Sequence, residues 1–233
     1  LELFQAVERG AVKALWVMAT NPAVSMPDAN QVRRALAKCE FLVVSDCVAQ
    51  TDTSVHADVL LPALAWGEKE GTVTNSERRV SRQRAFLNSP GEARPDWWIV
   101  SAVARRLGYA GFGYRSAHEI FTEHARLSAF ENNGERDFDL SGLADLSGPE
   151  YDALAPVQWP VPSAGDNKPM RLFEDGQFYT DDKRARLLAV VPRPPETGLD
   201  PSYPFTLNTG RVRDHWHTMT RTGRSPRLSG HIK

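Results

Sequence analysis

Short apolar runs that stop at polar residues mark the first third of the chain. Three of them, at 14–19, 41–45 and 59–61, have the length of a strand. Strands of a parallel sheet show this pattern because helices cover both faces of the sheet. Between the first two runs, apolar residues recur at helical spacing over 28–39. Strand, helix and strand within about thirty residues predict one right-handed βαβ unit.

The pattern further along the chain predicts more helices and strands. Helices are expected over 95–107 and over 117–130. The buried face of the first is expected to hold Trp98, Ala102, Val103 and Leu107. The pair Asp175-Gly176 suits the two-residue turn of a hairpin over 171–179. Further strands are expected at 72–74, 187–191 and 203–208, with an extended or edge-strand segment at 156–162.

Composition and charge indicate a globular protein without a broad electrostatic partner. The 233 residues are 41% hydrophobic and 24% charged, and the formal net charge of −1 predicts no general affinity for nucleic acid or anionic membranes. The chain has no run of about 18 apolar residues, the length that a membrane-spanning helix needs, and its first residues do not resemble a signal peptide. Because the chain begins at Leu1 and ends abruptly, we expect a piece of a longer polypeptide.

The common catalytic signatures do not occur. No GxGxxG follows a strand, and neither a Walker lysine loop nor GxSxG is present. Cys39 and Cys47 form no CxxC pair, and a structural thiol is the favoured interpretation. His118 and His124 are six residues apart and do not share a helix face. We therefore assign no catalytic residue and no metal ligand to this chain.

Polar residues follow the first two predicted strands directly. Thr20 and Asn21 end the first strand, and Ser45 and Asp46 end the second. The carboxyl ends of parallel strands form the ligand edge of an open α/β sheet. The Asp46 carboxylate could accept hydrogen bonds from ribose hydroxyls or from the N–H edge of guanine, or it could cap the following turn. Spacing alone leaves both alternatives open.

Lys69 and the histidine pair near the end of the chain each allow a structural and a functional interpretation. Lys69 lies between two glutamates and could neutralise a pyrophosphate, although a solvated loop is the simpler interpretation. His215 and His217 would share one face of a strand, which is compatible with zinc, but no third ligand is evident. A local cationic patch that suits an anionic ligand surrounds them: Arg211, Arg213, Arg221, Arg224 and Arg227.

Six stretches of the chain carry a combined family signature. They are WVMATNP at 16–22, VSD at 44–46, ADVLLP at 57–62, EKEGTVTNSERR at 68–79, PGEARPDWW at 90–98 and LNTGRVRDHWHTMTR at 207–221. Together they resemble the catalytic subunits of assimilatory nitrate reductases. These are molybdenum bis(molybdopterin guanine dinucleotide) oxidoreductases, and periplasmic nitrate reductases and formate dehydrogenases are their relatives.

The resemblance implies a fold and a set of contacts. The expected fold is α/β: a Rossmann-like parallel-sheet domain over 1–195 that binds a guanine dinucleotide arm, a linker at 196–202, and the incomplete start of a β-barrel domain at 203–233. It favours the functional interpretation of Asp46 and Lys69. The residues that it implies as cofactor contacts are Asn21, Ser45, Asp46, Lys69, Asp96, Thr209, Gly210, Arg211, His215, Trp216, His217 and Thr218.

The resemblance also implies an activity for the whole protein. Nitrate would be reduced to nitrite at a molybdenum-bis(molybdopterin guanine dinucleotide) cofactor, in the cytoplasm. Electrons would arrive through a [4Fe–4S] cluster outside this chain, from ferredoxin, flavodoxin or an NADH-linked subunit. Neither Cys39 nor Cys47 has the context of a cluster or molybdenum ligand, so the chain alone is expected to have no turnover. A formate dehydrogenase, a periplasmic nitrate reductase and a stand-alone nucleotide-binding module are the alternatives, and the oligomeric state stays open.

Overall fold

A computed structural model describes residues 1–133, 135–164, 171–196, 198–210 and 212–230. The described residues contain two three-stranded sheets, each associated with its own hydrophobic core. This mixed α/β architecture agrees with the predicted class. None of the described helices combines the length and the apolar character needed to span a bilayer.

The first sheet is parallel and confirms the predicted βαβ unit. Strands β1 (Ala14–Met18), β2 (Phe41–Asp46) and β3 (Val59–Pro62) lie in that order, with all pairs parallel. Helix α3 (Ala29–Lys38) connects β1 to β2 and begins where the Asp28 carboxylate accepts a hydrogen bond from Gln31 N at 3.1 Å. The carboxyl ends of the three strands therefore meet at one edge.

The core of this half lies between the sheet and two helices. Helix α1 (Glu2–Glu8) packs against α3. Val7, Val32, Leu36 and Leu42 are almost completely buried there. Each such side chain contributes about 1.5–3 kcal/mol when it leaves water. This packing fixes the direction of the strands, and so the position of their polar ends. A short helix, α2 (Pro22–Ser25), directly follows the end of β1.

The second sheet is antiparallel. Strand β5 (Arg79–Gln83) pairs with both β4 (Gly71–Thr74) and β6 (Val157–Gln158). The Asn75 side chain accepts hydrogen bonds from two backbone N–H groups of the connecting turn, Glu77 N and Arg79 N, both at 3.0 Å. The β-prone segment at 72–74 and the edge strand within 156–162 are thus confirmed. β5 is not evident from the sequence because its polar and charged residues interrupt the apolar pattern.

Three α-helices of the described residues lie between β5 and β6 in the chain. They are α4 (Asp96–Arg106), α5 (Ala117–Ala129) and α6 (Gly148–Ala153). Of these, α5 and α6 contribute to the core of the second sheet. The two predicted helices are confirmed, but the predicted inner face of α4 is correct only in part. Ala102 is buried as predicted, whereas Trp98 and Leu107 are 40% and 69% exposed. The other buried residues of α4 are Ile99, Ser101 and Ala104.

The predicted strands at 171–179, 187–191 and 203–208 do not form. A turn is present at Gly176, whose φ is +72° and whose N–H donates to Phe173 O at 3.0 Å, but no ladder flanks it. The apolar residues Leu187 and Leu207 are 92% and 90% exposed. A strand needs a partner edge for its backbone groups, and among the described residues these segments have only the isolated bridge between Asp200 and Tyr203. The expected start of a β-barrel is therefore not confirmed by the described part of 203–233, and the boundary at 196–202 stays a prediction.

The last described segment, 212–230, is mostly turns. It contains a 3₁₀ turn at Thr222–Arg224 and the short helix α7 (Pro226–Ser229). Three side chains of this segment contact the region around the carboxyl edge of the parallel sheet: Thr220 at Asn21, Arg221 at Asp46 and Arg224 at Gln50.

Candidate functional site

Asn21 joins three segments at the end of β1. It precedes Pro22, which favours an extended backbone at Asn21, and its side chain is 5% exposed. Its Nδ2 donates to Asp52 Oδ2 at 3.3 Å and to Thr220 Oγ1 at 3.1 Å, and its Oδ1 accepts from the Thr53 hydroxyl at 2.7 Å. All polar atoms of the Asn21 amide are therefore in use, and they anchor segment 212–230 to the sheet edge.

Ser45 is completely buried in β2. Its hydroxyl accepts a hydrogen bond from the Trp16 indole Nε1 at 2.8 Å. In this structure Ser45 therefore orients the indole on the neighbouring strand β1, and its own hydroxyl is turned to that contact.

Asp46 is the central charge of the edge. Its side chain is 1% exposed, and Oδ1 accepts from Val48 N at 3.1 Å and from Arg221 Nη2 at 2.9 Å. Oδ2 is buried and has no hydrogen-bond partner among the described residues. The contact with Val48 N is the predicted turn cap. The contact with Arg221 places a cation on the same carboxylate.

Arg221 spans several acceptors at once. Besides Asp46, its Nε donates to Cys47 Sγ at 3.3 Å and its Nη2 to Ala19 O at 3.4 Å. The hydrogen bond to the Cys47 sulfur, followed by the attraction of the Asp46 carboxylate, raises the pKa of Arg221. The guanidinium stays charged and is 44% exposed.

An open pocket of about 950 Å³ lies between the end of β1 and segment 212–230. One wall comes from the turn after β1 and from α2, and the other from the last segment. Hydroxyl, amide, aromatic and guanidinium groups alternate along it, so that it suits a polar and partly anionic ligand. Its lining is Ala19, Thr20, Asn21, Val24, Ser25, Trp216, His217, Thr218, Thr220, Arg221 and Thr222.

His215 is buried within segment 212–230 and supports the wall that this segment forms. It is 5% exposed, with Nε2 at 3.2 Å from Leu228 O and Nδ1 at 3.0 Å from Thr222 Oγ1. A carbonyl oxygen only accepts, so Nε2 carries the proton and Nδ1 accepts from Thr222. The Thr222 oxygen in turn accepts from Trp216 N at 3.3 Å. His215 thus fixes the turn that presents the Trp216 ring.

The two histidines do not share a strand face, so that prediction is wrong. His217 has a φ of +48°, and its ring stands edge-on to Trp216 with centroids 4.6 Å apart. The positive φ reverses the chain, which sends His215 inward and leaves His217 at the pocket. Within the described residues no group of three or more His, Cys, Asp or Glu side chains could hold a metal ion.

Lys69 and Asp96 form an ion pair with each other, away from the pocket. Lys69 Nζ lies 2.5 Å from Asp96 Oδ2, and both side chains are about one third exposed, at 30% and 33%. Asp96 begins α4, where a carboxylate also interacts favourably with the helix dipole. Neither residue belongs to the described lining of the 950 Å³ pocket.

The remaining predicted contacts lie along or before the last segment. Thr209 is exposed, and Gly210 lines a second cavity of about 450 Å³ together with Trp216 and Thr218. The Thr218 hydroxyl shares a hydrogen bond of 2.9 Å with Thr220. Arg211 lies outside the described residues.

Sequence reasoning missed the three residues that hydrogen-bond the Asn21 side chain, of which Thr220 joins the two walls. Asp52 and Thr53 follow the end of β2 in the chain, and Thr220 lies 199 residues after Asn21. Asp52 and Thr53 could have been found as further polar residues after a strand. No local signal identifies Thr220.

A comparison with protein families identifies the first part of the chain. Residues 1–106 match the family described as molybdopterin oxidoreductase. The molybdopterin oxidoreductase match covers the first 106 of the 233 residues. Together with the nitrate reductases described next, it confirms the resemblance found in the sequence.

The relatives of this chain are much longer proteins. A nitrate reductase of Klebsiella oxytoca is 53% identical over 233 residues, which are 100% of this chain and 26% of that protein. The assimilatory nitrate reductase catalytic subunit of Bacillus subtilis (strain 168) is 37% identical over 98% of this chain and 31% of its own length. An F420-dependent formate dehydrogenase subunit alpha of Methanocaldococcus jannaschii is 37% identical over 93% and 30%. The chain thus spans about a quarter to a third of these relatives.

A solved structure supports the fold alone. Acetylene hydratase from Pelobacter acetylenicus is similar with a TM-score of 0.55 and 17% identity, over 78% of this chain and 23% of that one. This likeness agrees with the mixed α/β architecture built around a parallel sheet.

Proposed function

We propose that the full-length protein is a molybdenum-dependent nitrate reductase that reduces nitrate to nitrite, and that this chain helps to bind its molybdopterin guanine dinucleotide cofactor. The observation that carries the proposal is the 53% identity to a nitrate reductase along the whole chain. A polar pocket at the carboxyl edge of the parallel sheet supports the binding role.

The donor set of the site fits a guanine dinucleotide. The buried Oδ2 of Asp46 has no hydrogen-bond partner among the described residues, and guanine offers two adjacent N–H donors to a carboxylate. Thr218, Thr220 and Arg221 line the pocket with groups that suit a pyrophosphate or a pterin. When bound, the molybdenum centre supplies the redox chemistry, and this chain binds and orients the group.

We assign two sets of residues to that binding. Asn21, Ser45 and Asp46 shape the sheet edge, while the Lys69–Asp96 pair offers a cation that a phosphate could take over. The contacts from the last segment are Thr209, Gly210, Arg211, His215, Trp216, His217 and Thr218. In this proposal 1–195 forms the dinucleotide-binding domain, 196–202 the linker and 203–233 part of a further domain that closes over the cofactor.

The whole protein would take its electrons through a [4Fe–4S] cluster outside this chain and work in the cytoplasm. Ferredoxin, flavodoxin and an NADH-linked subunit are the candidate donors. The chain has two cysteines, and its described residues hold no group of side chains that could bind such a centre. The chain alone is proposed to have no turnover.

A formate dehydrogenase is the second candidate. The 37% identity to an F420-dependent formate dehydrogenase subunit over 93% of this chain favours it. Formate oxidation would use the same dinucleotide site, so the described residues do not separate the two reactions.

Oxidation of reduced viologen by the purified full-length protein tests the proposal. We expect oxidation that depends on nitrate and yields nitrite in equal amount to the electron pairs consumed. Formate-dependent reduction of oxidised viologen, together with no activity toward nitrate, would identify the protein as a formate dehydrogenase. The proposed cofactor site would still stand.

A further inference from the structure

Arg221 and a guanine edge need the same oxygen of Asp46. A carboxylate oxygen has two lone pairs, and both lone pairs of Oδ1 are already taken, one by Val48 N and one by Arg221 Nη2. A guanine edge that binds Asp46 through two N–H groups needs one acceptor site on each oxygen. The Val48 contact is part of the backbone turn, so Arg221 is the donor that can leave.

The contact between Arg221 and Asp46 also lacks the strongest geometry that this pair can adopt. An arginine that pairs with a carboxylate in the strongest geometry gives two parallel N–H bonds, one to each oxygen. Here only Nη2 reaches Asp46, Nε is turned to Cys47 Sγ, and Oδ2 keeps no partner. A buried carboxylate oxygen without a partner is unfavourable, and a ligand that donates to both oxygens removes that penalty.

The pocket can accommodate the Arg221 guanidinium after it leaves Asp46. Arg221 is 44% exposed and lines the pocket, whereas the Asp46 side chain is 1% exposed. Movement of the arginine therefore frees an acceptor site on Asp46 Oδ1 without burying a new charge. In the pocket the guanidinium can take a phosphate through two parallel hydrogen bonds.

We propose that Arg221 is an exchangeable latch: it occupies the Asp46 carboxylate in the empty site, leaves it when a guanine edge binds, and then pairs with the phosphate of the same ligand. This inference rests on the proposed function. Arg221 and guanine compete for Asp46, and the phosphate binds the released Arg221. A guanine nucleotide should therefore bind much more tightly than the nucleoside alone.

Calorimetric titration of the cofactor-free full-length protein with guanosine and with guanosine diphosphate tests the latch. Arg221→Met removes both roles. Arg115→Met is the matched control, because Arg115 is 87% exposed, pairs with Glu119 on α5 and does not line the pocket. We expect Arg221→Met to bind guanosine about three- to tenfold more tightly than wild type. The gain in affinity from guanosine to guanosine diphosphate should shrink by a similar factor, and Arg115→Met should match wild type.

Arg221→Lys provides a second arm in case the methionine variant does not fold. Lysine is a point charge that cannot reach Asp46 and the Cys47 sulfur together. This variant should bind guanosine more tightly than wild type and retain most of the gain from the phosphate.

The outcomes separate the latch from the proposed function. Equal guanosine affinity in wild type and both Arg221 variants would overturn the latch while leaving the guanine site in place. Absence of guanosine binding in every folded variant, wild type included, would overturn both the guanine site and the latch.

Discussion

Arg82 connects three elements of the second half of the molecule. Its side chain is 2% exposed, and its guanidinium lies 3.9 Å from the centroid of the Tyr151 ring. Nη1 donates to Gly71 O at 2.6 Å, and Nη2 pairs with Glu70 at 3.4 Å and Asp152 at 3.1 Å. Burial, the largest cause, raises the pKa of Tyr151, so the ring stays neutral beneath the cation.

Replacement of Arg82 by lysine tests this arrangement. Arg82→Lys loses the planar stacking and the hydrogen bond to the half-buried Gly71 carbonyl, so we expect a loss of about 2–4 kcal/mol in the free energy of unfolding. Urea titration followed by circular dichroism measures it. The control Arg126→Lys alters an exposed pair with Asp145 and should change stability by less than about 0.5 kcal/mol. A similarly small change for Arg82→Lys would show that the stacked guanidinium is dispensable.

At the residue scale the sequence predicts positions better than partners. Asp46 could be placed at a ligand edge because parallel strands end together, and its cap of Val48 N was one of the two predicted alternatives. Its partner Arg221 is 175 residues away. Nothing in the local pattern carries that contact, because tertiary packing alone decides it.

At the element scale, α6 depends on a capping box. Ser147 donates to Glu150 Oε2 from its hydroxyl at 2.6 Å and from its backbone N at 2.8 Å, and Glu150 N donates back to Ser147 Oγ at 3.4 Å. These hydrogen bonds, led by that of the hydroxyl, hold the pKa of Glu150 below its ordinary value of 4.5. A lowered pKa in the folded state means that the ionised carboxylate stabilises the fold.

The stabilisation by Glu150 should therefore depend on pH. It is fully present above the ordinary value of 4.5 and disappears as the pH falls through the lower pKa of the folded carboxyl. Thermal unfolding should show Glu150→Gln below wild type at about pH 7, with the gap closing at about pH 3. Glu92→Gln, at an exposed position outside any helix, is the control. A gap that is equal at both pH values would contradict the role of the ionised carboxylate.

The elements themselves were predictable to different degrees. The strands of the parallel sheet, α4 and α5 follow from apolar runs and helical spacing, because their own residues bury their own faces. The apolar runs at 187–191 and 203–208 have the same local pattern, yet Leu187 and Leu207 lie exposed. A strand forms only where a partner edge exists, and the sequence of the strand does not contain that information.

At the scale of the whole molecule, one pocket connects the two ends of the chain. The turn after β1 supplies one wall and segment 212–230 the other, with Asn21–Thr220 and Asp46–Arg221 as the joints. The family signature stretches at 16–22, 44–46 and 207–221, which are far apart in sequence, thereby meet at one site. A dinucleotide bound there would contact the sheet edge and the last segment together.

The measurement that tests this account most directly is the molybdenum and guanosine monophosphate released per polypeptide from purified full-length wild type and Asp46→Asn. The variant puts an N–H donor where guanine needs an acceptor, and unsatisfied donors cost about 1–3 kcal/mol each. We expect cofactor affinity to fall roughly ten- to hundredfold, with molybdenum and nucleotide lost together. The control Asp145→Asn, at a side chain that is 91% exposed, should retain both. Wild-type amounts of both in folded Asp46→Asn would contradict the assignment of this sheet edge to the cofactor.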